Sequence, residues 1–237
     1  MAEGRLLTPG VVPYGDAYAL MHDLAEQRVR DEIPDTLVLL EHPPVYTAGR
    51  RTDPMHLGMV EQDAERMGAE VHHVDRGGSV TFHGPGQLVG YPIIRLGDGD
   101  VIRYLRDLEE VILRTTAAFG AACERSEVNT GVWSGRRKVC AIGVRTTRGV
   151  TLHGFALNCT TDLRWFEAIV PCGLPGYGVA TLSELAGRPV TVEDALPVVA
   201  GEFEAVFGVR FRGQAAPSTA SGENHPDGPL RTIPAHG

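Results

Sequence analysis

The sequence predicts an α+β domain in which helices flank a mixed β-sheet. Strand-like segments outnumber helical ones along the chain. Two of them, Gly131–Trp133 and Val139–Arg145, are separated by the turn-like run Ser134-Gly135-Arg136-Arg137 and form a predicted hairpin. Adjacent antiparallel strands argue against a doubly wound parallel sheet. A chain of 237 residues is long enough for one well-packed domain and short for two.

The elements of the N-terminal half follow from apolar spacing. Apolar residues at helical intervals predict a first helix from Tyr14 to Asp31, with Asp16 as a candidate cap. A buried strand follows and ends at His42-Pro43-Pro44, and a later pair of strands is joined at Arg76-Gly77-Gly78. The predicted elements after the first helix are the strand Thr36–Leu40, a short helix Leu57–Met67, and the strands Val71–Val74, Ser79–His83 and Leu88–Ile94.

The C-terminal half contains the longest predicted helix, Val101–Phe119, which has one apolar stripe. Beyond the hairpin we expect a strand at Val150–Asn158. A last helix, Val192–Phe207, begins after the candidate cap Thr191. From residue 213 onward the chain is rich in Gly, Pro, Ser and Ala without periodicity. Residues 1–212 are therefore predicted to form the folded domain, and 213–237 a disordered tail.

Composition limits the function classes. A net charge of −8 argues against nucleic-acid binding, which needs a basic surface. No apolar run approaches the ~20 residues that span a bilayer, and no secretory signal is visible, so we expect no membrane association and a cytoplasmic location. The cysteines lack metal-ligand or C-x-x-C spacing and suit a reducing compartment: Cys123, Cys140, Cys159 and Cys172.

Common nucleotide, metal and serine-hydrolase motifs are absent from the sequence. There is no G-x-x-x-x-G-K-[ST] loop, no H-E-x-x-H helix and no G-x-S-x-G elbow. The glycines of residues 84–90 resemble a dinucleotide loop only weakly, because the last glycine is one residue late and Pro85 suits a strand connection better. We therefore expect neither a cofactor nor a metal.

Cys172 is the cysteine in the most reactive setting. It ends an apolar run and stands between Pro171 and Gly173 in a Pro/Gly-rich turn, without bulky neighbours. Such a thiol at the end of an element is open to a substrate. The alternative is that Cys172 is a small buried apolar residue, which is the usual fate of a free cysteine.

Lys138 is the only lysine of the chain, because every other member of the Lys+Arg set is an arginine. An ammonium group can be desolvated and can release its proton, whereas a guanidinium cannot. Lowering the pKa of a thiol from about 8.5 to about 6.5 takes ~2.7 kcal/mol. A cation ~4 Å away at an effective dielectric constant of ~20 supplies ~4 kcal/mol. Lys138 could thus make Cys172 nucleophilic and later accept a proton, unless it is merely a surface lysine.

Glycine-rich segments indicate a place for a bound substrate. Residues 76–79 and 83–87 bracket one short strand; glycine lets a ligand approach the backbone closely, and free N–H groups there could hold a thioester oxyanion. Gly154-Phe155-Ala156 offers a floor of small residues for an alkyl chain.

Four ordered motifs resemble the lipoyl(octanoyl) transferase family between about Leu6 and Phe211. They are residues 41–50 (EHPPVYTAGR), 76–88 (Arg-Gly-Gly through His-Gly-Pro-Gly-Gln-Leu), 138–143 (KVCAIG) and 161–173 (Thr-Asp-Leu through Pro-Cys-Gly). This resemblance implies the fold of biotin/lipoate protein ligase catalytic domains. It also implies transfer of an octanoyl group from octanoyl-acyl carrier protein to a lysine of lipoyl domains of 2-oxoacid dehydrogenases and of the glycine-cleavage H protein.

The resemblance also implies roles for individual residues. Cys172 matches the cysteine that carries the acyl thioester, and Lys138 matches its partner lysine. Three segments match the acyl-substrate site: Arg76, Gly77, Gly78, Ser79, Val80, Thr81, Phe82 and His83; Ala141, Ile142 and Gly143; and Gly154, Phe155 and Ala156. Cys140 stands where a small residue is expected, and a strict strand period puts it on the same face as Lys138, where unwanted acylation is conceivable.

Other functions remain open at this point. An ATP-dependent lipoate or biotin ligase of the same fold would have no need of an acyl-holding thiol. A cysteine hydrolase would pair Cys172 with His83 or His153 and would tolerate Lys138→Arg. A non-catalytic binding module would tolerate loss of the thiol.

Overall fold

The computed structural model describes residues 1–169 and 176–213. Its strands are β1 (Ala2–Val11), β2 (Thr36–Glu41), β3 (Val45–Ala48), β4 (Glu70–His73), β5 (Val80–His83), β6 (Gln87–Ile93), β7 (Glu124–Arg125), β8 (Gly131–Ser134), β9 (Arg137–Thr147), β10 (Val150–Asn158), β11 (Gly178–Val179) and β12 (Val209–Gly213). Its helices are α1 (Tyr14–Val29), α2 (Pro54–Met67), α3 (Val101–Ala118), α4 (Leu182–Ala186) and α5 (Val192–Phe207), with a 3-10 helix at Leu163–Ala168.

The strands form two sheets. The large sheet has the order β12-β1-β2-β6-β10-β9-β8-β7, and β11 joins it beside β9. The pairs β1–β12, β1–β2 and β9–β11 are parallel, whereas β2–β6, β6–β10, β10–β9 and β9–β8 are antiparallel. The small sheet has the order β4-β3-β5. The predicted mixed sheet and α+β class are confirmed.

Each face of the large sheet has its own apolar core. Helices α3 and α5 pack on each other and cover one face, over residues such as Leu88, Val132 and Leu157. Helix α1 covers the other face through Met21 and Leu24, against Val38, Val89 and Ala156. The small sheet, α2 and the 3-10 helix enclose a third core. These layers leave space between the sheets for the site described below.

Local sequence explains where several elements begin. Helix α5 starts with a capping box, in which Thr191 and Asp194 bond each other's backbone N–H groups. The hairpin is closed by Gly135, whose positive φ of 57° suits a tight two-residue turn between Ser134 and Arg137. The predicted cap of α1 is wrong: Pro13 occupies the N-cap position, and Asp16 lies in the first turn, where it complements the helix dipole.

Several strands were not predicted from the sequence, namely β1, β3, β7, β11 and β12. The segments Val71–Val74 and Ser79–His83 are strands within a residue of the prediction, but both pair with β3 rather than with each other. Strand β12 includes Gly213, one residue past the predicted domain boundary, and residues 214–237 of the predicted tail lie outside the described part of the chain. Among the described residues, no helix has the length and apolarity to cross a membrane.

Candidate active site

A cavity of about 490 Å³ is lined by residues of both sheets, the N-terminus of α1 and the 3-10 helix. It brings together most of the side chains singled out from the sequence. The predicted residues that line it are Arg76, Gly77, Gly78, Ser79, Val80, Thr81, His83, Lys138, Ala141, Ile142, Gly143, Gly154, Phe155 and Ala156.

Phe82 was also predicted to belong to the substrate site. It is the one described residue of that set that does not line the cavity. Its ring is fully buried in the third core, stacked on Trp165 at 4.9 Å and edge-on to Phe166 at 5.7 Å. Because side chains alternate along β5, Phe82 turns away from the face that Thr81 and His83 present. Its place in the structure is that of a core residue beneath the cavity.

Lys138 is a buried amine at the cavity, with 6% of its surface exposed. Its Nζ donates a hydrogen bond to the carbonyl oxygen of Thr130 (3.1 Å) and lies 4.6 Å from the centre of the Trp133 ring. No carboxylate of the described residues lies within 4.0 Å of it. An ammonium group has three N–H donors, so the amine keeps donors that the described residues do not use.

A β-bulge determines which way Lys138 faces. In the β8–β9 pair, Val132 lies opposite Cys140 and Trp133 opposite Lys138, so Val139 is an extra residue. Lys138 therefore shares a face with Ala141, not with Cys140. The expectation that Cys140 shares a face with Lys138 is wrong: Cys140 packs into the core under α3 and α5, and burial raises the pKa of its thiol.

Gly131 makes room for the lysine stem. Its φ is 135°, which side chains rarely adopt. A Cβ at this position would lie 2.6 Å from the carbonyl oxygen of Cys140 and 3.2 Å from Cε of Lys138. The glycine therefore permits the close approach of β8 to the bulged part of β9.

Cys172 lies outside the described residues, but both ends of the segment that carries it are described. Ile169, three residues before it, lines the cavity, and so does Val179, seven residues after it. Val179 is the register partner of Lys138 across the β11–β9 pair. This pair is reinforced by Ala180, whose N–H donates to the carbonyl oxygen of Lys138 (3.0 Å).

Arg76 is the second buried cation of the cavity. Its Nη2 donates to the carbonyl oxygen (2.6 Å) and Oγ1 (2.9 Å) of Thr47, and its Nη1 donates to the carbonyl oxygen of Gly77 (3.0 Å). Burial lowers the pKa of Arg76 to about 10, which leaves it charged at neutral pH. Gly143 and Gly49 allow this packing, since a Cβ at Gly49 would lie 2.7 Å from Nη1.

His83 belongs to a buried hydrogen-bond network. Its Nδ1 contacts Oε1 of Gln87 (2.8 Å); Nε2 of Gln87 donates to Oδ1 of Asn158 (2.9 Å), and Nδ2 of Asn158 donates to the carbonyl oxygen of Ala180 (3.2 Å). Since Gln87 offers an oxygen, Nδ1 of His83 carries the proton. Burial lowers the pKa of His83 to about 3, so the ring is neutral at neutral pH.

His153 is fixed at the other end of the cavity from Lys138. It stands opposite Val144 in the β10–β9 register, six residues from Lys138, or about 20 Å along the strand at ~3.3 Å per residue. Its Nε2 bonds Oδ1 of Asp75 (2.8 Å), and Asp75 is also paired with Arg145. These contacts tie the loop that carries Arg76 to the large sheet.

Three backbone N–H groups that were candidates for an oxyanion site are already used within the protein. Gly77 donates to the carbonyl oxygen of Val144 (3.2 Å), Gly86 to Oε2 of Glu41 (2.7 Å), and Gln87 to the carbonyl oxygen of Gly84 (3.1 Å). They stabilise the two glycine-rich loops. Within the described ranges, no cluster of three or more His, Cys, Asp or Glu side chains has a metal-binding arrangement.

Sequence reasoning missed several residues of the site: Tyr14, Tyr91, Trp133, Asn158 and Val179. Trp133 had a usable signal, because the turn at Ser134–Arg137 fixes the hairpin register and places it opposite Lys138. Val179 had none, since a two-residue strand has no periodicity to detect.

Three comparisons with known proteins agree on one family. Residues 13–204 match the family described as Lipoyl protein ligase A/B catalytic domain. The chain is 50% identical over 202 residues to the octanoyltransferase of Rubrobacter xylanophilus, covering 84% of this chain and 91% of that protein. The octanoyltransferase of Salinispora arenicola is 49% identical over 201 residues, covering 82% and 91%.

A solved structure with a similar fold is the bipartite lipoate protein ligase of the Thermoplasma acidophilum lipoylation system. Its TM-score is 0.73 at 19% identity, over 92% of this chain and 89% of that one. The predicted lipoate-ligase-like fold is thereby confirmed.

Proposed function

The chain belongs to the lipoyl protein ligase A/B catalytic domain family, and from this we propose that it is an acyltransferase that moves an octanoyl group onto protein lysines through a thioester on Cys172. The octanoyltransferases that it resembles at about half identity support the reaction. The roles of Cys172 and Lys138 are our proposal, supported by the family resemblance and, for Lys138, by the geometry of the cavity.

One observation carries this proposal: Lys138 points into a cavity at whose edge the Cys172 segment begins and ends. Ile169 and Val179 both line the cavity, and Val179 is paired with Lys138 itself. Three residues span at most ~11 Å, so covalent geometry keeps Cys172 within that distance of Ile169. We propose that this tether lets the thiol meet the Lys138 amine in the cavity.

The first step loads the enzyme. The Cys172 thiolate, stabilised by the Lys138 ammonium, attacks the carbonyl carbon of a donor thioester. A new carbon–sulfur bond forms, the donor's carbon–sulfur bond breaks, and the departing donor thiolate takes a proton from Lys138. Exchange of one thioester for another is nearly balanced in free energy, so the step needs no nucleotide.

The second step delivers the acyl group. A lysine amine of the acceptor protein attacks the Cys172 thioester, and Lys138, neutral after the first step, accepts the proton released by that amine. The carbon–nitrogen bond forms, the bond to Cys172 breaks, and the thiolate–ammonium pair is restored. Formation of an amide from a thioester is downhill, which drives the cycle forward.

The cavity offers a path for the alkyl chain. Lys138 and Gly143 are five residues apart on β9, about 16 Å at ~3.3 Å per residue, and Ala141 and Ile142 line the wall between them. Ala141 pairs with Ala156 and Gly143 with Gly154, so these two cross-strand pairs leave room, while Ile142 and Phe155, paired between them, add apolar surface to the lining. We propose that the acyl chain lies along these pairs with its carbonyl at Lys138.

The proposed donor is octanoyl-acyl carrier protein, and the proposed acceptors are lipoyl domains, in keeping with the octanoyltransferase relatives and with the lipoylation system to which the similar ligase belongs. Arg51 lies at the cavity with its side chain exposed, and Arg50 is exposed beside it. Such cations suit an approach by an acidic carrier protein.

Intact mass spectrometry tests the proposal. The chain is mixed with octanoyl-acyl carrier protein alone, its peptides are mapped, and a lipoyl domain is then added. We expect an octanoyl adduct on Cys172 that disappears as the lipoyl domain gains the same mass. Cys172→Ala should form no adduct, whereas Cys123→Ala, which removes a half-buried thiol elsewhere, should behave like the unsubstituted chain.

The other outcomes identify the alternatives. Acyl transfer that requires ATP and bypasses Cys172 would establish a ligase. Discharge of the adduct by water at the same rate with and without a lipoyl domain would establish a hydrolase.

A further inference from the structure

The side chain of Trp133 is placed to hold the reactive amine. It is 1% exposed, lies directly opposite Lys138 in the hairpin register, and has its ring centre 4.6 Å from Nζ. Its Nε1 donates to the carbonyl oxygen of Asn129 (3.1 Å), which fixes the ring plane. Indole is the best of the side-chain rings at attracting a cation over its face.

The buried carboxylate near Trp133 and Lys138 is paired with groups other than the amine. Glu109 is fully buried, and its carboxylate bonds the N–H of Gly131 (3.1 Å), Arg106 (2.7 Å) and Arg125 (3.3 Å). No ion pair among the described residues includes Lys138, and Cys140, whose thiol is buried, faces the other core. Of the residues that the structure describes, Trp133 through its ring and Thr130 through its carbonyl oxygen are therefore the ones that orient the amine.

The same ring also contacts the chain that follows Cys172. Tyr177 lies edge-on to Trp133 with ring centres 5.6 Å apart, and the guanidinium of Arg136 lies 4.8 Å from the centre of the Tyr177 ring. Arg136, Tyr177, Trp133 and Lys138 thus form a continuous column. It connects the amine to a residue five positions after Cys172.

We propose that Trp133 is a positioning residue for acyl transfer: its ring holds the Lys138 ammonium in the orientation in which it acts with Cys172, and it packs against Tyr177 of the chain that follows. Trp133 acts through Lys138 and touches neither donor nor acceptor. This inference rests on the proposed function, since it assigns a role within the Cys172–Lys138 pair.

The test compares Trp133→Leu with Trp133→Phe in the full chain. Leucine fills much of the space without a ring face for a cation, and phenylalanine keeps a weaker one. We expect Trp133→Leu to slow acyl loading of Cys172 about tenfold, which is about 1.4 kcal/mol, and Trp133→Phe to stay within about threefold of the unsubstituted chain. Each rate is measured by quenched-flow mass spectrometry.

A second readout separates this role from a merely structural one. The pH dependence of Cys172 alkylation by iodoacetamide, followed by peptide mass spectrometry, reports how well a cation stabilises the thiolate. Trp133→Leu should move its midpoint to higher pH, and Lys138→Ala should move it further. In the Lys138→Ala background, Trp133→Leu should add no further shift, because the ring then has no cation to hold.

Each outcome decides the inference. Equal losses in Trp133→Leu and Trp133→Phe, or a full additional shift in the Lys138→Ala background, would overturn it and leave Trp133 a packing residue, although the proposed function would stand. If Trp133→Leu does not fold, the Trp133→Phe rate and its double-variant cycle still decide. Absence of any Cys172 adduct in the unsubstituted chain would overturn the proposed function and this inference together.

Discussion

The two buried cations of the cavity are held in opposite ways. Arg76 makes three hydrogen bonds, to Thr47 and Gly77, and its Nε is enclosed away from any partner. Lys138, just as buried, makes one hydrogen bond within the described part of the chain and faces an aromatic ring. The two are near opposite ends of the cavity, because Arg76 packs on Gly143 and Lys138 lies five residues away on the same strand.

This difference separates a structural cation from a reactive one. A guanidinium that is bonded to Thr47 and Gly77 holds a loop in place, and it cannot give up its proton to a reacting group. The Trp133 ring attracts the charged ammonium of Lys138 but cannot take up its proton. The ammonium can therefore exchange a proton with a reacting group. Burial alone would not distinguish the two, whereas the ability of an ammonium, but not of a guanidinium, to release its proton does.

Exchanging the reactive cation should have the largest effect. Lys138→Arg keeps the positive charge over Trp133 but cannot accept a proton, so transfer from Cys172 to a lipoyl domain should fall ~10²–10⁴-fold. Alkylation of Cys172 should remain nearly normal, because the thiolate still has a cation nearby. Single-turnover transfer from the pre-formed octanoyl adduct measures the change.

A matched control for this exchange is available one residue away. Arg137→Lys makes the reverse substitution at a half-exposed position that pairs with Glu184 (3.7 Å), and it should leave transfer within about twofold of the unsubstituted chain, since surface ion pairs contribute little. Near-normal transfer by Lys138→Arg would contradict a proton-accepting role and leave Lys138 an electrostatic one.

Exchanging the structural cation should chiefly affect stability. Arg76→Lys cannot reach Thr47 and Gly77 together, so buried oxygens lose their donors and the free energy of unfolding should fall by ~2–3 kcal/mol. The KM for the donor should rise as the loop loosens, with the rate of the transfer step little changed. Urea denaturation and steady-state kinetics measure both effects.

The exposed Arg51 at the same cavity provides the comparison for stability. Arg51→Lys should change the free energy of unfolding by less than ~0.5 kcal/mol. If Arg76→Lys loses catalysis as severely as Lys138→Arg while remaining stable, the division into structural and reactive cations is wrong.

Much of this arrangement could be predicted from the sequence where the signals are local. The limits of β10 and α5 and the hairpin of β8 and β9 followed from strand periodicity, a capping pair and a glycine turn. The cavity-lining segments followed from glycine-rich motifs and from the resemblance, and fourteen of the sixteen predicted site residues, all but Phe82 and the undescribed Cys172, do line the cavity.

The remainder depends on contacts between distant parts of the chain. Strands β1 and β12 pair across more than two hundred residues, so neither has a neighbour in sequence to reveal it. The orientation of Lys138 depends on the bulge at Val139, and a strict period of two puts the lysine on the wrong face. The prediction that Phe82 lines the cavity is wrong for a different reason. It came from a motif that includes every residue of β5, and neighbouring residues of a strand face opposite sides.

Acidification should have the smallest effect, and it acts on two buried neutral histidines: His83, which lines the cavity with Arg76, and His42, whose ring centre lies 5.8 Å from that of His83. Burial lowers the pKa of His83 to about 3 and that of His42 to about 4, against an ordinary value of 6.5. Between these values and pH 6.5 the unfolded chain binds protons that the folded chain does not, so stability falls as the pH falls through this range. From pH 7 to pH 5 each should contribute a loss of ~1–2 kcal/mol.

Urea denaturation of the unsubstituted chain, His83→Asn and His73→Gln at pH 7 and pH 5 checks this effect. His83→Asn should lose less stability between the two pH values, because one of the groups that the unfolded chain protonates is gone. His73, whose side chain is 66% exposed, should leave the difference unchanged when it is replaced. An identical pH difference in all three proteins would mean that His83 is protonated in the folded chain, so that burial and the nearby charge of Arg76 do not keep that ring neutral.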